Sequence, residues 1–153
     1  MLLPYDSVCE GRIFATAVRL FSGCAVVPNV TLSHVVAPEL ARRFLGEPAA
    51  RSLQSRHAEL DLVVYGVETT LPILAVETDG PQPDAPPQAG RDRLTDTVCR
   101  VAGLPLVRVR IDERVSDSVL GHRLGRELHQ AARSLLMGQR GHEELVAALS
   151  WLA

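Results

Sequence analysis

The sequence contains no lysine and no long apolar run. All 16 of its basic residues are arginine, so the chain has no ε-amino group that can act as a general base near neutral pH. No stretch approaches the ~20 consecutive apolar residues that a membrane-spanning helix requires. The first residues are too short and too polar for a secretory signal. We therefore expect a cytoplasmic protein that does not associate with a membrane.

Cysteine is scarce and is not arranged for metal binding or redox chemistry. Cys9, Cys24 and Cys99 are odd in number and lack the close spacing of zinc sites or redox dithiols, so reduced thiols are expected. The formal net charge of −2 is weak evidence about a nucleic-acid partner, because arginines can still cluster on one face. A length of 153 residues with 46% hydrophobic content predicts one domain over residues 1–153.

Apolar periodicity and chain breakers predict an α/β fold with a mixed sheet. The predicted order is a helix, a strand near a sheet edge, a hairpin, a helix, a strand and two C-terminal helices. Two short helical pieces, at 38–45 and 49–54, precede the hairpin. The main elements are predicted at residues 7–21, 24–30, 59–66, 71–80, 91–103, 104–111, 117–137 and 142–152. Residues 81–90, with four prolines in ten positions, are predicted to form an exposed loop.

The two hairpin strands carry the candidate chemistry. Pairing of Gly66 with Pro72 would place Asp61 directly opposite Glu77. Side chains alternate along a strand, so Asp61 and Glu77 would share a face with Asp79. The other members of that predicted face are Val63, Tyr65, Ile73 and Ala75. The sequence thus predicts three carboxylates at one end of the hairpin.

Opposed carboxylates in an apolar strand pair require compensation, because like charges opposite one another are destabilising. A bound Mg²⁺ or Mn²⁺ is one source of compensation, since hard oxygen ligands suit these ions. The alternative is a solvated sheet edge, or ion pairs with Arg91, Arg93 or Arg108.

Four segments in order resemble a small bacterial subfamily of PD-(D/E)XK nuclease-like domains of unknown function. They are Asp61, then AVETDG, then RDRLTD, then AGLPLVRVR. The subfamily pattern reads D-F-V, I-E-L-D-G-x-x-H, R-D-x-x-K-D and A-G-I-P-L-x-R. The resemblance covers a core of about residues 5–112 and excludes the C-terminal helices at about 117–152. It implies a restriction-endonuclease-like mixed sheet.

The resemblance also implies roles for individual residues. Asp61 and Glu77 would be metal ligands, and Asp79 would occupy the place where other members of the superfamily carry lysine. Glu10 would lie near the metal, and Arg91 and Asp92 would belong to the helix that supports the site. Arg91, Arg93 and Arg108 are candidates for contacting substrate phosphate, since guanidinium binds phosphate well. The predicted function is a Mg²⁺- or Mn²⁺-dependent phosphodiesterase acting on DNA or RNA.

Two departures from the pattern favour other functions. The histidine of the subfamily falls at Pro83 and its helix lysine at Thr95. A decayed nuclease-like module that binds nucleic acid or a protein partner is therefore the alternative hypothesis. In a third hypothesis, the apolar stripes of the C-terminal helices form a homodimer or subunit interface. Such stripes are more often part of a core.

Overall fold

A computed structural model of the chain describes residues 8–54, 58–68, 70–79, 86–110 and 116–134. Within these ranges the side chains of residues 8–10, 79, 86–92 and 128–134 lie outside the description. The helix predicted at residues 142–152 also lies outside the described residues. The elements are α1 Val8–Leu20, β1 Cys24–Thr31, α2 Leu32–Val35, α3 Pro38–Leu45, α4 Glu47–Ser52, β2 Glu59–Gly66, β3 Pro72–Asp79, α5 Pro86–Ala102, β4 Leu106–Arg110 and α6 Asp117–Ser134.

The four strands form one mixed sheet in the order β1-β2-β3-β4. Strand β2 runs antiparallel to both β1 and β3, whereas β4 is parallel to β3. A parallel pair requires a long crossover connection, and α5 provides it. The mixed α/β architecture predicted from the sequence is confirmed, with β2 and β3 in the centre and β1 at an edge.

Helices cover both faces of the sheet. One face of the sheet is covered by α1, the residue Phe21 that follows it, and α6. Here Ile13, Phe21, Leu120 and Leu124 are buried in one cluster with residues of β2, β3 and β4. On the other face, helices α2 to α5 pack over the remaining strand residues. The members of this second cluster include Leu32, Ala41, Ala50, Val63, Ala75, Val98 and Cys99. The sheet is therefore the middle layer of three, as expected for strands buried on both faces.

The hairpin register differs from the prediction at the turn and agrees with it farther along the strands. Tyr65 pairs with Pro72, where the sequence predicted Gly66, because a β-bulge shifts the register between Val64 and Tyr65. Beyond the bulge, Leu62 pairs with Val76 as the predicted register requires. The bulge also has a consequence for the predicted face. Ile73 packs in the first cluster, so its assignment to the face of Val63 and Ala75 was wrong.

Side chains on β1 and β2 alternate between the two faces of the sheet, and this alternation is interrupted at Asn29 and Asp61. Leu62 packs in the first cluster, and regular alternation would place Leu60 beside it. Instead, Leu60 and its partner Val30 both pack in the second cluster. Asn29, between Pro28 and Val30, has a φ of 51°. Asparagine tolerates this left-handed conformation better than most residues, so the chain turns there without glycine.

Helix α5 begins earlier than the sequence predicted. Residues 81–90 were expected to be a loop because of their prolines, but α5 starts at Pro86. The prediction was wrong for residues 86–90, because proline is tolerated in the first turn of a helix, where its missing N–H has no partner in any case. The predicted end is confirmed, since α5 stops at Ala102 and Gly103 follows with a φ of 68°.

Helix α6 contributes to the core. Leu120 and Leu124 are fully buried in the first cluster, so this part of the predicted stripe packs inside the fold. The stripe residues from 128 onward lie outside the described side chains. Among the described residues, no helix combines the length and the apolar character needed to cross a membrane.

Replacing Leu124 by alanine tests this assignment of α6. Leu124 is 0% exposed, and truncating such a side chain is expected to lower the free energy of unfolding by about 2–5 kcal/mol. The matched control is Val119→Ala on the same helix. Val119 is 44% exposed, and its truncation is expected to change stability by no more than about 0.5 kcal/mol. Urea denaturation followed by circular dichroism measures both, and equal effects would contradict a core role for this face of α6.

Candidate functional site

A row of polar residues crosses all four strands of the sheet. Asn29 on β1 and Asp61 on β2 both lie between the pairs Pro28–Leu62 and Val30–Leu60. Main-chain pairing of β2 and β3 ends at Leu62 and Val76, and Asp61 and Glu77 are the next residues on the two strands. Glu77 in turn pairs with Arg108 on β4. We call these four residues, Asn29, Asp61, Glu77 and Arg108, the polar row.

Asp61 is joined to β3 by two hydrogen bonds from a single residue. The main-chain N–H of Thr78 and its hydroxyl both donate to Oδ2 of Asp61, each at 2.7 Å. Hydrogen bonds to an ionised carboxylate are shorter and stronger than those between neutral groups. The Asp61 side chain thereby bridges β2 and β3 just beyond the last main-chain pair, Leu62 and Val76.

Glu77 is half-buried and lies beside positive charge on β4. Its oxygen Oε1 is buried and makes no hydrogen bond, although Glu77 takes part in other interactions. Burying a carboxylate oxygen is costly unless charge or hydrogen bonds compensate. Arg108, its neighbour in the parallel pair, brings a guanidinium to this region. Nη2 of Arg108 also contacts Oδ1 of Asp96 on α5 at 2.8 Å, which ties β4 to the helix that covers this face.

The pKa of the Cys99 thiol is shifted by the charges of Glu77, Asp96 and Arg108. Cys99 is buried on α5, and its pKa is raised to about 12, first by burial and then by the negative charges of Glu77 and Asp96. The positive charge of Arg108 acts in the opposite direction. Glu77, Asp96 and Arg108 therefore all lie within electrostatic range of one buried sulfur.

The predicted site residues divide into two groups. The structure brings Asp61, Glu77 and Arg108 together on neighbouring strands, and it places Arg93 at the exposed surface of α5. The remaining predictions fall on residues whose side chains lie outside the description: Glu10 on α1, Asp79 on β3, and Arg91 and Asp92 on α5. The main chain of Asp79 pairs with Arg110 of β4, so the acidic end of β3 runs alongside the basic end of β4.

The predicted three-carboxylate face reduces to two carboxylates among the described side chains. No group of three or more His, Cys, Asp or Glu side chains within that part of the chain is arranged to hold a metal ion. Asp61 and Glu77 remain as neighbours, and either oxygen-rich side chain suits a hard divalent cation.

Several residues of the site were missed from the sequence. Thr78 has no role that the sequence predicts, because its hydrogen bonds to Asp61 depend on the strand register. Asp96 is an exposed helix residue in sequence terms, and only the packing of α5 on β4 brings it to Arg108. A signal for Asn29 was present, because asparagine directly after proline in a strand marks an irregular position.

A family model for proteins of unknown function, DUF2726, matches residues 9–127 of the chain. The chain belongs to this family. The DUF2726 match spans every strand of the sheet and all four residues of the polar row. No curated protein matches the chain, and no solved structure matches it either.

The reactivity of Cys99 tests its burial on α5 beside the site. At pH 8 a thiol with a pKa of about 12 has almost no reactive thiolate. We expect Cys99 to resist iodoacetamide in the native protein and to react after unfolding in urea. Cys24, which is only half-buried, serves as the internal control, and mass spectrometry of the peptides measures both. Native labelling of Cys99 at the rate of Cys24 would contradict this description.

Proposed function

We propose that this protein is a metal-dependent phosphodiesterase that acts on DNA or RNA. The observation that supports the proposal is the position of Asp61 and Glu77, which are the first residues beyond the last main-chain pair of the two central strands. Two acidic side chains at this place repel one another, and a bound cation would offset that repulsion. Arg108, beside Glu77 on β4, supplies a group suited to phosphate.

We further propose that the fold is restriction-endonuclease-like. The order of α1, β1, the β2–β3 hairpin, α5 and β4 is the helix, strand, hairpin, helix and strand order that the resemblance implies. Helices α2, α3 and α4 are inserted in the chain between β1 and β2, and they contribute residues to the second cluster. Asp61 stands on the first strand of the hairpin and Glu77 on the second, which are the positions that the resemblance gives to metal ligands.

Asp61 and Glu77 suit Mg²⁺ or Mn²⁺ by the chemistry of their oxygens. Mg²⁺ is usually held by one or two carboxylates together with waters and substrate phosphates. An ionised carboxylate has about four acceptor sites, so the two hydrogen bonds from Thr78 do not by themselves prevent Asp61 from binding a cation. A divalent cation held by Asp61 and Glu77 would lower the pKa of a bound water and would polarise a phosphoryl oxygen.

The arginines are assigned to binding phosphate. A guanidinium is always charged near neutral pH and matches phosphate oxygens in pairs. Arg108 is held by Asp96 at 2.8 Å, so its position is fixed before a substrate arrives. Arg93, exposed on α5, would meet the phosphate backbone farther from the carboxylates. None of these residues can replace a lysine as a base.

Cleavage by Mn²⁺-loaded protein tests the proposal. Purified protein is expected to nick plasmid DNA or degrade single-stranded DNA or RNA, and Glu77→Gln is expected to lower the rate by about 100-fold or more. Glu59→Gln is the matched control, since Glu59 is exposed at the start of the same hairpin. Cleavage that survives Glu77→Gln unchanged would contradict the assignment.

A second candidate is a nuclease-like module that binds nucleic acid or a protein partner without cutting. The observation that favours it is Thr95, which is 9% exposed on α5 and stands where the resembling subfamily carries lysine. The chain contains no lysine that could take over this role.

Calorimetry with Mn²⁺ separates the two candidates. A catalytic site is expected to bind Mn²⁺ with micromolar affinity, and Asp61→Asn and Glu77→Gln should each weaken that binding, because each removes a negative charge from the ligand set. Binding of an oligonucleotide without any such Mn²⁺ binding would support the module that does not cut.

A further inference from the structure

Thr78 makes an unusual pair of contacts with Asp61. Its N–H and its hydroxyl approach the same oxygen, Oδ2, at the same distance of 2.7 Å. A single donor would leave the carboxylate free to swing about that contact, whereas two donors from different directions define its orientation. Carboxylates that bind metals are commonly held in this way by neighbouring groups.

The strand geometry explains why Thr78 can reach Asp61. Main-chain pairing between β2 and β3 ends at Leu62 and Val76, so the next residues of the two strands are not joined through their backbones. The reset of alternation at Asn29 and Asp61 occurs at the same level of the sheet. An Asp61 carboxylate oxygen, in place of a main-chain carbonyl, accepts the Thr78 N–H.

We propose that the Thr78 hydroxyl is a positioning group that sets the Asp61 carboxylate for binding a divalent cation. The inference rests on the proposed function, and it adds a residue between the two acids to the site. Thr78 acts through Asp61 and does not itself touch the cation. A substitution at this position keeps the main-chain N–H and can remove only the hydroxyl.

Calorimetric titration with Mn²⁺ alone tests the role of the hydroxyl. Thr78→Val keeps the shape and the N–H but removes the hydroxyl, and it is expected to weaken Mn²⁺ binding by about 10-fold or more. Thr78→Ser keeps a hydroxyl at this position. Its Mn²⁺ affinity is expected to lie within about 3-fold of that of the unaltered protein, because the serine hydroxyl can also donate to Asp61. Thr78→Ala repeats the removal with a smaller side chain should the valine variant fail to fold.

The matched control is Thr31→Val on β1. Thr31 is also a strand threonine, and its side chain makes no capping hydrogen bond to α2. This variant is expected to bind Mn²⁺ like the unaltered protein. Circular dichroism of each variant establishes that it is folded before titration.

Two results would overturn the inference. Unchanged Mn²⁺ affinity in Thr78→Val and Thr78→Ala would show that the hydroxyl does not position Asp61. Weakening in Thr78→Ser as large as in Thr78→Val would assign the effect to packing. Failure of the proposed function is recognised separately, because the protein would then bind no Mn²⁺, or would bind it equally well after Asp61→Asn and Glu77→Gln.

Discussion

The contact between Asp61 and Thr78 holds the two central strands together where their backbones have stopped pairing. A sheet that loses its main-chain pairing must satisfy the released N–H groups in another way. Here a carboxylate does so, and a second acid, Glu77, is thereby kept beside it. The neighbouring strand supplies Arg108, which is itself anchored by Asp96 from α5. The site thus depends on side chains for a connection that the backbone makes elsewhere in the sheet.

The sequence predicts β2 and β3 and their central position in the sheet, because long apolar runs rich in β-branched residues are typical of buried strands. The predicted pairing of Leu62 with Val76 is confirmed, whereas the predicted pairing at the turn was wrong. A β-bulge between Val64 and Tyr65 moves the pairing by one residue near the turn, and the predicted partner of Pro72 was therefore wrong. A bulge has no reliable signature in a single sequence, since it reflects how a particular turn is accommodated.

Other features depend on tertiary contacts and were beyond prediction. The pairing of Arg108 with Asp96 joins a strand to a helix, and no periodicity indicates it. The start of α5 at Pro86 was not predicted, because prolines occur both in loops and in the first turn of a helix. The metal ligands implied by the resemblance remain proposals. What the fold contributes is the adjacency of Asp61 and Glu77.

The edge strand β1 carries a proline in its middle. Pro28 pairs with Leu62 on the inner side of the sheet. An open strand edge can recruit a strand from another molecule, because it presents a row of N–H and C=O groups. Proline has no N–H, so the row on β1 is interrupted, and Asn29 bends the chain directly after it. The irregularity at Pro28 and Asn29 thus also makes this edge a poor template for intermolecular β-pairing.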